Sequence, residues 1–138
     1  MNERSKSTAA TAAAVLRAPD ALDGLPGTRF AMRENGLARA TGGAYAARVF
    51  RTTSGGPVPP SMHRHDSDFQ YVHLIRGEMN FALEDGTIAR LRTGDAIWLP
   101  KDCPHCVTCV SEDLEFLEIF SPASVAKIPV AEGTEGAG

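Results

Sequence analysis

The stretch Pro60-Ser-Met-His63-Arg-His65-Asp-Ser-Asp-Phe-Gln70 places two histidines and a glutamine directly before an apolar, β-favouring run. Side chains alternate between the two faces of an extended chain, so His63 and His65 leave on the same face, about 7 Å apart at Cα. Gln70 shares its face with the apolar residues two and four positions further on. If this stretch is extended, two imidazoles can bind one ion, and an amide lies at the mouth of an apolar interior.

A third histidine opens a second β-favouring run. His105 follows the turn Pro100-Lys-Asp-Cys-Pro104. Within that turn we interpret Asp102 as a turn-former rather than a ligand, because aspartate tolerates left-handed backbone geometry. A His-x-His pair alone is also typical of histidines packed in a core or lying on a surface. The residues alone therefore leave two interpretations open, a structural role for the histidines and a four-point metal site made of His63, His65, Gln70 and His105.

Short β-favouring segments separated by Gly/Pro turns fill the middle of the chain, and Glu84-Asp-Gly86 is a hairpin signal. This pattern predicts an all-β protein, an antiparallel sandwich or barrel. We expect a flexible segment over residues 1–18, a single domain over 19–130 and a flexible tail over 131–138. The predicted strands are 28–32, 44–53, 70–75, 79–83, 88–92, 96–99, 105–110 and 114–120.

Composition excludes several classes of function. The 138 residues carry a net charge of −3 and no block of like charges, which argues against binding to nucleic acid or an anionic membrane. The apolar stretch 9–16 is too short and alanine-rich for a membrane span or a signal sequence. Three cysteines within seven residues are odd in number and do not form a disulfide framework; a separate zinc or iron–sulfur cluster lacks a fourth cysteine. We therefore expect a cytoplasmic protein with reduced thiols.

Two motifs in this sequence resemble those of the cupin superfamily. The first is Pro60-Ser-Met-His63-Arg-His65, then Gln70 and Gly77; the second is Gly94, Pro100 and His105. More narrowly, Asp66-Ser-Asp-Phe-Gln70 and the Gly94-Asp95 turn look like those of a group of small bacterial cupins that carry glutamine in the first motif. The resemblance implies a conical jelly-roll barrel, a homodimer and one divalent metal ion in the barrel mouth. In the family, the ligands are commonly three histidines and one glutamate, so Gln70 stands where a glutamate is usual.

A neutral ligand at this position changes the expected chemistry. Without the carboxylate the site holds its ion less tightly and leaves more positive charge on it, which favours Lewis acidity over a ferric state. We expect a metal-dependent enzyme for a small oxygen-rich substrate, either a dioxygenase-like oxidoreductase or a Lewis-acid isomerase, cyclase or lyase. The alternative is a non-catalytic sensor that binds metal or ligand. The donor set accepts Fe, Mn, Ni, Co or Zn.

Other chemically active residues have two interpretations each. Alternation turns His73 away from Gln70, unless a β-bulge between them makes it a fifth ligand. Glu118 is the candidate general base if its side of the last strand faces inward, with Arg48 as its suggested partner. If that side faces outward, Glu118 is a solvated strand residue.

Three further residues are expected to be structural. Alternation from His105 puts Cys109 on the inward face, where a cysteine is more often a small core residue than a nucleophile. Trp98 and Phe81 are expected to pack in the core or at an interface, because aromatic side chains mostly fill volume in small barrels.

Overall fold

The computed structural model describes residues 12–19, 21–123 and 127–130. Every predicted strand is present there, with ends that differ from the prediction by two residues or fewer. Several short elements were not predicted, because two to four residues carry too little periodicity to be recognised. The elements are β1 Asp23–Gly24, β2 Phe30–Glu34, α1 Leu37–Ala40, β3 Ala46–Thr52, β4 Gly56–Pro57, β5 His63–His65, β6 Phe69–Arg76, β7 Glu78–Leu83, β8 Ile88–Arg92, β9 Ala96–Pro100, β10 His105–Val110, β11 Glu115–Ser121 and β12 Lys127–Pro129.

The strands form two antiparallel sheets. The first sheet has the order β1-β2-β3-β11-β6-β9, and the second has the order β12-β5-β10-β7-β8, with β4 paired to β10. The hairpin between β7 and β8 turns at Gly86, whose φ of 89° suits a glycine. The predicted all-β class is confirmed, and the architecture is an antiparallel jelly-roll barrel.

Strict alternation on the first sheet decides which side chains line the barrel. On β6, Gln70, Val72 and Leu74 are buried, whereas Phe69 and Ile75 on the other face are exposed. Pairing with β11 and β3 then aligns the inward-facing residues in rows across the sheet. The rows are Gln70–Phe120–Ala46, Val72–Glu118–Arg48 and Leu74–Phe116–Phe50.

The last of these rows belongs to the hydrophobic core. Phe50 and Phe116 stack with ring centroids 4.8 Å apart, and Phe30 meets Phe116 edge-to-face at 6.2 Å. Leu74 is fully buried among them. Each such side chain contributes roughly 1.5–3 kcal/mol through removal of apolar surface from water. One part of the barrel interior is therefore apolar, and the polar rows lie beside it.

Strand β10 corrects one prediction from alternation. A β-bulge interrupts its pairing with β7 between Val107 and Cys109. The additional residue reverses the facing beyond it, so Val110 is buried and Cys109 is exposed. The expectation of an inward Cys109 is therefore wrong, and Cys106 is the buried thiol.

Two aromatic residues that the sequence treated alike differ in burial. Phe81 is 3% exposed and lies in the core, whereas Trp98 is 61% exposed on the outer face of β9. A core role for Trp98 is therefore wrong, and an interface role stays a prediction, as does the homodimer itself.

The predictions of flexible ends for residues 1–11 and 131–138 lie outside the described residues. The boundaries of a single domain over 19–130 remain a prediction. Within the described part of the chain, no helix has the length and apolar character needed to cross a membrane.

Candidate metal centre

Two neighbouring strands of the second sheet bring three histidines together. His63 and His65 lie on β5, and β10 pairs with it so that His105 is directly opposite His63. Ligand nitrogens of the three rings all lie within 4.8 Å of one another, and the ring centroids are 4.6 to 5.2 Å apart. Three imidazoles so close together could hold one metal ion.

Backbone carbonyls fix the orientation of two of these rings. Nδ1 of His63 lies 2.8 Å from the carbonyl oxygen of Ser61, and Nδ1 of His105 lies 2.9 Å from that of Cys103. A ring nitrogen facing a carbonyl oxygen must donate, so Nε2 is left with its lone pair as the ligand atom. Metal-binding histidines are typically oriented by such a hydrogen bond on the second nitrogen. The donor set therefore fits a divalent ion.

Burial keeps these histidines in the neutral form that binds metals. It lowers the pKa of His63, and it lowers the pKa of His105 to about 4. Lys127 lowers both values further through its positive charge. Because imidazole must be neutral to bind a metal, both rings are ready as ligands at neutral pH.

The turn before His105 has the predicted conformation. Asp102 has φ of 63°, in the left-handed region, and its carboxylate lies 2.6 Å from Nη1 of Arg64. The backbone N–H of Asp102 also donates to the carbonyl oxygen of His65 at 3.3 Å. Asp102 is therefore a turn-former, as the sequence indicated, and its contacts with Arg64 and His65 also connect this turn to β5.

Gln70 and Glu118 form a hydrogen-bonded pair inside the barrel. Nε2 of Gln70 donates to Oε2 of Glu118 at 2.6 Å, although the two residues are 48 positions apart in the sequence. The facing of Glu118, which alternation left open, is therefore inward. Burial raises the pKa of Glu118, and the hydrogen bond from Gln70 and the charges of Arg48 and Lys127 partly oppose that rise. The site thus contains a carboxylate even though the usual glutamate position is occupied by glutamine.

Arg48 lies directly opposite Glu118 in the pairing of β3 with β11. Its guanidinium carbon is 4.7 Å from the ring centre of Phe120. Its Nε is 3.8 Å from Oε2 of the exposed Glu34. The hydrogen-bond partner of Glu118 is therefore Gln70, and the suggested partner Arg48 acts on Glu118 through its charge.

His73 lies apart from the other histidines. The pairing of β6 with β11 runs without a bulge between Gln70 and His73, so His73 faces outward. Its ring stacks on Tyr71 with centroids 6.2 Å apart, and Nδ1 is 3.4 Å from the tyrosine hydroxyl. The outward interpretation of His73 is confirmed.

The polar groups open into a cavity of about 880 Å³. Ligand-binding cavities commonly have volumes of about 300–1,000 Å³. The cavity has a polar part formed by Arg48, His63, His65, Gln70, His105, Glu118 and Lys127, and an apolar part that includes Leu25, Phe30, Met32, Phe50, Val58 and Phe116. No motif marked Lys127 in the sequence, because it lies on the three-residue strand β12, where it pairs with His65.

The fold and the site together define the class of protein: a small antiparallel jelly-roll barrel whose cavity contains a candidate metal site of three histidines. The family model of the cupin domain matches residues 49–120, more than half of the chain. The chain belongs to the cupin family, as its motifs indicated.

Solved structures show the same fold at low sequence identity. The polyketide cyclase RemF from Streptomyces resistomycificus is 19% identical with a TM-score of 0.61, over 85% of this chain and 81% of that chain. A mutant of the oxalate decarboxylase OxdC from Bacillus subtilis is 18% identical with a TM-score of 0.65, over 96% of this chain. KdgF from Halomonas sp. is 23% identical with a TM-score of 0.55, over 72% of this chain and 84% of that chain.

This chain spans 39% of the oxalate decarboxylase chain. A search of curated protein sequences gives no significant match.

Proposed function

We propose that the protein is a metal-dependent enzyme that moves a proton on an oxygen-bearing substrate. His63, His65 and His105 would hold a divalent ion, with Oε1 of Gln70 as fourth ligand, and Glu118 would be the proton-transferring group. The observation that carries this proposal is the 2.6 Å hydrogen bond between Gln70 and Glu118 in the cavity that the three histidines line. It links a ligand position to a buried carboxylate.

The charge of the proposed ligand set supports this assignment. Three neutral imidazoles and one amide leave the full positive charge of a divalent ion in the site. Such an ion would supply Lewis acidity to a carbonyl or hydroxyl oxygen of the substrate. A proton on the carbon next to a carbonyl group polarised in this way would be easier to remove, and a nearby base could take it.

Glu118 has the properties that such a base needs. Burial raises its pKa, and a carboxyl group with a raised pKa is better suited to accept a proton and return it. Gln70 donates to Oε2, which orients the carboxylate and leaves its other oxygen available as the acceptor. In this proposal Gln70 is both a metal ligand, through Oε1, and a positioning residue for Glu118, through the hydrogen bond from Nε2.

The proposed reaction class is isomerisation, cyclisation or elimination. Two of the proteins with similar structures are enzymes, a polyketide cyclase and an oxalate decarboxylase, and the oxalate decarboxylase has Mn(II) centres. These similarities support an enzyme with a metal in the cavity. Because the ligand charge is neutral, manganese or zinc bound in the divalent state is the proposed cofactor.

A simple probe tests proton transfer without knowledge of the natural substrate. The α-hydroxyketone acetoin can bind a metal through two oxygens and has a C–H next to its carbonyl. In D2O, the Zn- or Mn-loaded protein is expected to accelerate deuterium incorporation into acetoin, measured by mass spectrometry against free metal alone. A Glu118→Gln variant should retain its metal and lose this acceleration by about 100-fold or more.

The matched control is Glu115→Gln. Glu115 lies on the same strand as Glu118 but forms ion pairs with Arg51 and Arg76 outside the cavity, so this variant should exchange at the wild-type rate. Exchange no faster than with free metal, or equal rates in Glu118→Gln and wild type, would contradict the proposal. Turnover that requires O2 would indicate an oxygenase instead.

A further inference from the structure

The cavity is lined by more cationic than anionic residues. Among the described residues that line it, Arg29, Arg48 and Lys127 are cationic and Glu118 is the one carboxylate. A divalent ion held by neutral ligands would add two more positive charges. Because apolar walls weaken dielectric screening, this excess creates a positive potential inside the cavity. A ligand with negative charge would offset it.

Arg29 is already committed to the protein's own backbone and side chains. Its Nε donates to the carbonyl oxygen of Pro57 at 2.9 Å. Its Nη1 donates at 2.8 Å both to Oγ of Ser54 and to the carbonyl oxygen of Gly55. Three of the five N–H groups of this arginine therefore hold the loop around β4 in place.

Arg48 differs from Arg29 in its bonding. Its buried Nε has no hydrogen-bond partner in the part of the chain that the structure describes. The nearest carboxylate oxygen, on Glu34, is 3.8 Å away and beyond hydrogen-bond distance. Buried donors are normally satisfied, so an unpartnered Nε shows that the protein's own groups do not saturate this guanidinium. Arg48 also lines the cavity, where its other N–H groups can donate to a ligand. The contact with Phe120 holds the guanidinium over the ring without using its N–H groups.

The position of Arg48 also suits an extended ligand. It lies in the inward row with Glu118, and the next inward residue of its strand is Phe50, in the apolar part of the cavity. Lys127 lies on the opposite sheet, paired with His65, and is exposed at the cavity edge. A molecule that reaches Arg48 therefore has apolar walls on one side and the histidines on the other.

We propose that the cavity selects an organic carboxylate with an apolar body, and that Arg48 binds the carboxylate while Lys127 adds a second positive charge. A planar guanidinium matches the two oxygens of a carboxylate, and the volume of about 880 Å³ accommodates an aromatic or aliphatic body. This assignment rests on the proposed function, because it names the substrate class of the same site.

The test uses metal-free protein, so that failure of the anion site is distinguishable from failure of the metal site. Binding of 2-naphthoate and of its neutral isostere 2-naphthamide is measured by calorimetry after treatment with a chelator. Wild-type protein is expected to bind 2-naphthoate at least about tenfold more tightly than it binds 2-naphthamide. Arg48→Met should remove this preference, and Arg48→Lys should retain part of it because the charge remains.

The matched control is Arg51→Met. Arg51 lies three positions further along the same strand, faces outward and pairs with Glu115, so its loss should leave the preference unchanged. Thermal melts of all variants identify loss of folding, and Arg48→Lys keeps the test valid if Arg48→Met does not fold. Lys127→Met should weaken 2-naphthoate binding by a smaller factor than Arg48→Met.

Three results would overturn the proposal. The first is equal affinity of wild-type protein for the two probes. The second is a preference that survives Arg48→Met. The third is tighter, Arg48-dependent binding of 2-naphthyl phosphate, which would assign the site to a phosphate rather than a carboxylate.

Discussion

On β3, Arg48 faces inward and Arg51, three residues further on, faces outward. On β11, Glu118 faces inward and Glu115, three residues before it, faces outward. The outward members pair with each other at 3.6 Å beside solvent, where an ion pair contributes about 1 kcal/mol or less. The inward members lie in the cavity, where Glu118 bonds to an amide and the Nε of Arg48 has no hydrogen-bond partner in the described chain. The same residue types therefore form an ion pair on the outer face and line the candidate site on the inner face.

The comparison extends to the histidines. His105 is 3% exposed in the cavity and one of three converging rings, whereas the outward His73 stacks on a tyrosine. Facing, rather than residue type, separates the candidate site from the surface.

The largest expected effect concerns two adjacent residues of β6. Leu74 is fully buried and Ile75 is 45% exposed on the opposite face. Leu74→Ala should lower the free energy of unfolding by about 3 kcal/mol because it removes apolar contacts and leaves a cavity. Ile75→Ala should change it by about 0.5 kcal/mol or less. Urea unfolding measures both values, and equal losses would contradict the assigned facing of β6.

A second prediction uses the pKa of His105. Because its pKa is about 4 in the folded protein against an ordinary 6.5, the unfolded state binds more protons between these two values. The contribution of His105 to the free energy of unfolding is therefore at its maximum above pH 6.5. It falls by roughly 3 kcal/mol as the pH drops toward 4. The lowered pKa of His63 acts in the same direction.

Urea unfolding of metal-free protein at several pH values measures this dependence. A His105→Asn variant should show a flatter decline over the same range. An unchanged slope in that variant would show that His105 is not the group responsible.

The sequence predicted the strands because alternation and turn residues are local patterns, and it predicted that the distant His105 joins His63 and His65 because two motifs resemble those of a known family. Alternation placed Gln70 inward and His73 outward correctly, since β6 pairs without a bulge there. It failed at Cys109 because a bulge adds a residue that no local pattern reveals.

The facing of Glu118 was undecidable from sequence because apolar residues lie on both sides of β11. Its bond to Gln70 joins residues 48 positions apart, and Lys127 reaches the cavity from a three-residue strand. Long-range pairing supplies these contacts, and only the folded chain shows them.

The smallest expected effect comes from Gln70→Glu. A carboxylate at this position adds a negative charge to the proposed ligand set and should raise affinity for a divalent ion about tenfold, or 1.4 kcal/mol. It should also raise the pKa of Glu118 further, because two carboxyl groups would then lie close together. His73→Glu adds the same charge to the opposite face of the strand and should change the affinity much less.

Competition with a chelating dye measures both affinities. Equal or weaker metal binding by Gln70→Glu than by wild type would contradict the assignment of Gln70 as a ligand.

Metal content tests the central claim most directly. Protein purified without oxygen and loaded with a slight excess of zinc or manganese is desalted and analysed by mass spectrometry for bound metal. The account predicts one ion per chain in wild type and in His73→Ala, and less than about one tenth of an ion in a folded His105→Ala variant. Metal-free wild type after loading, or full metal content in His105→Ala, would contradict it.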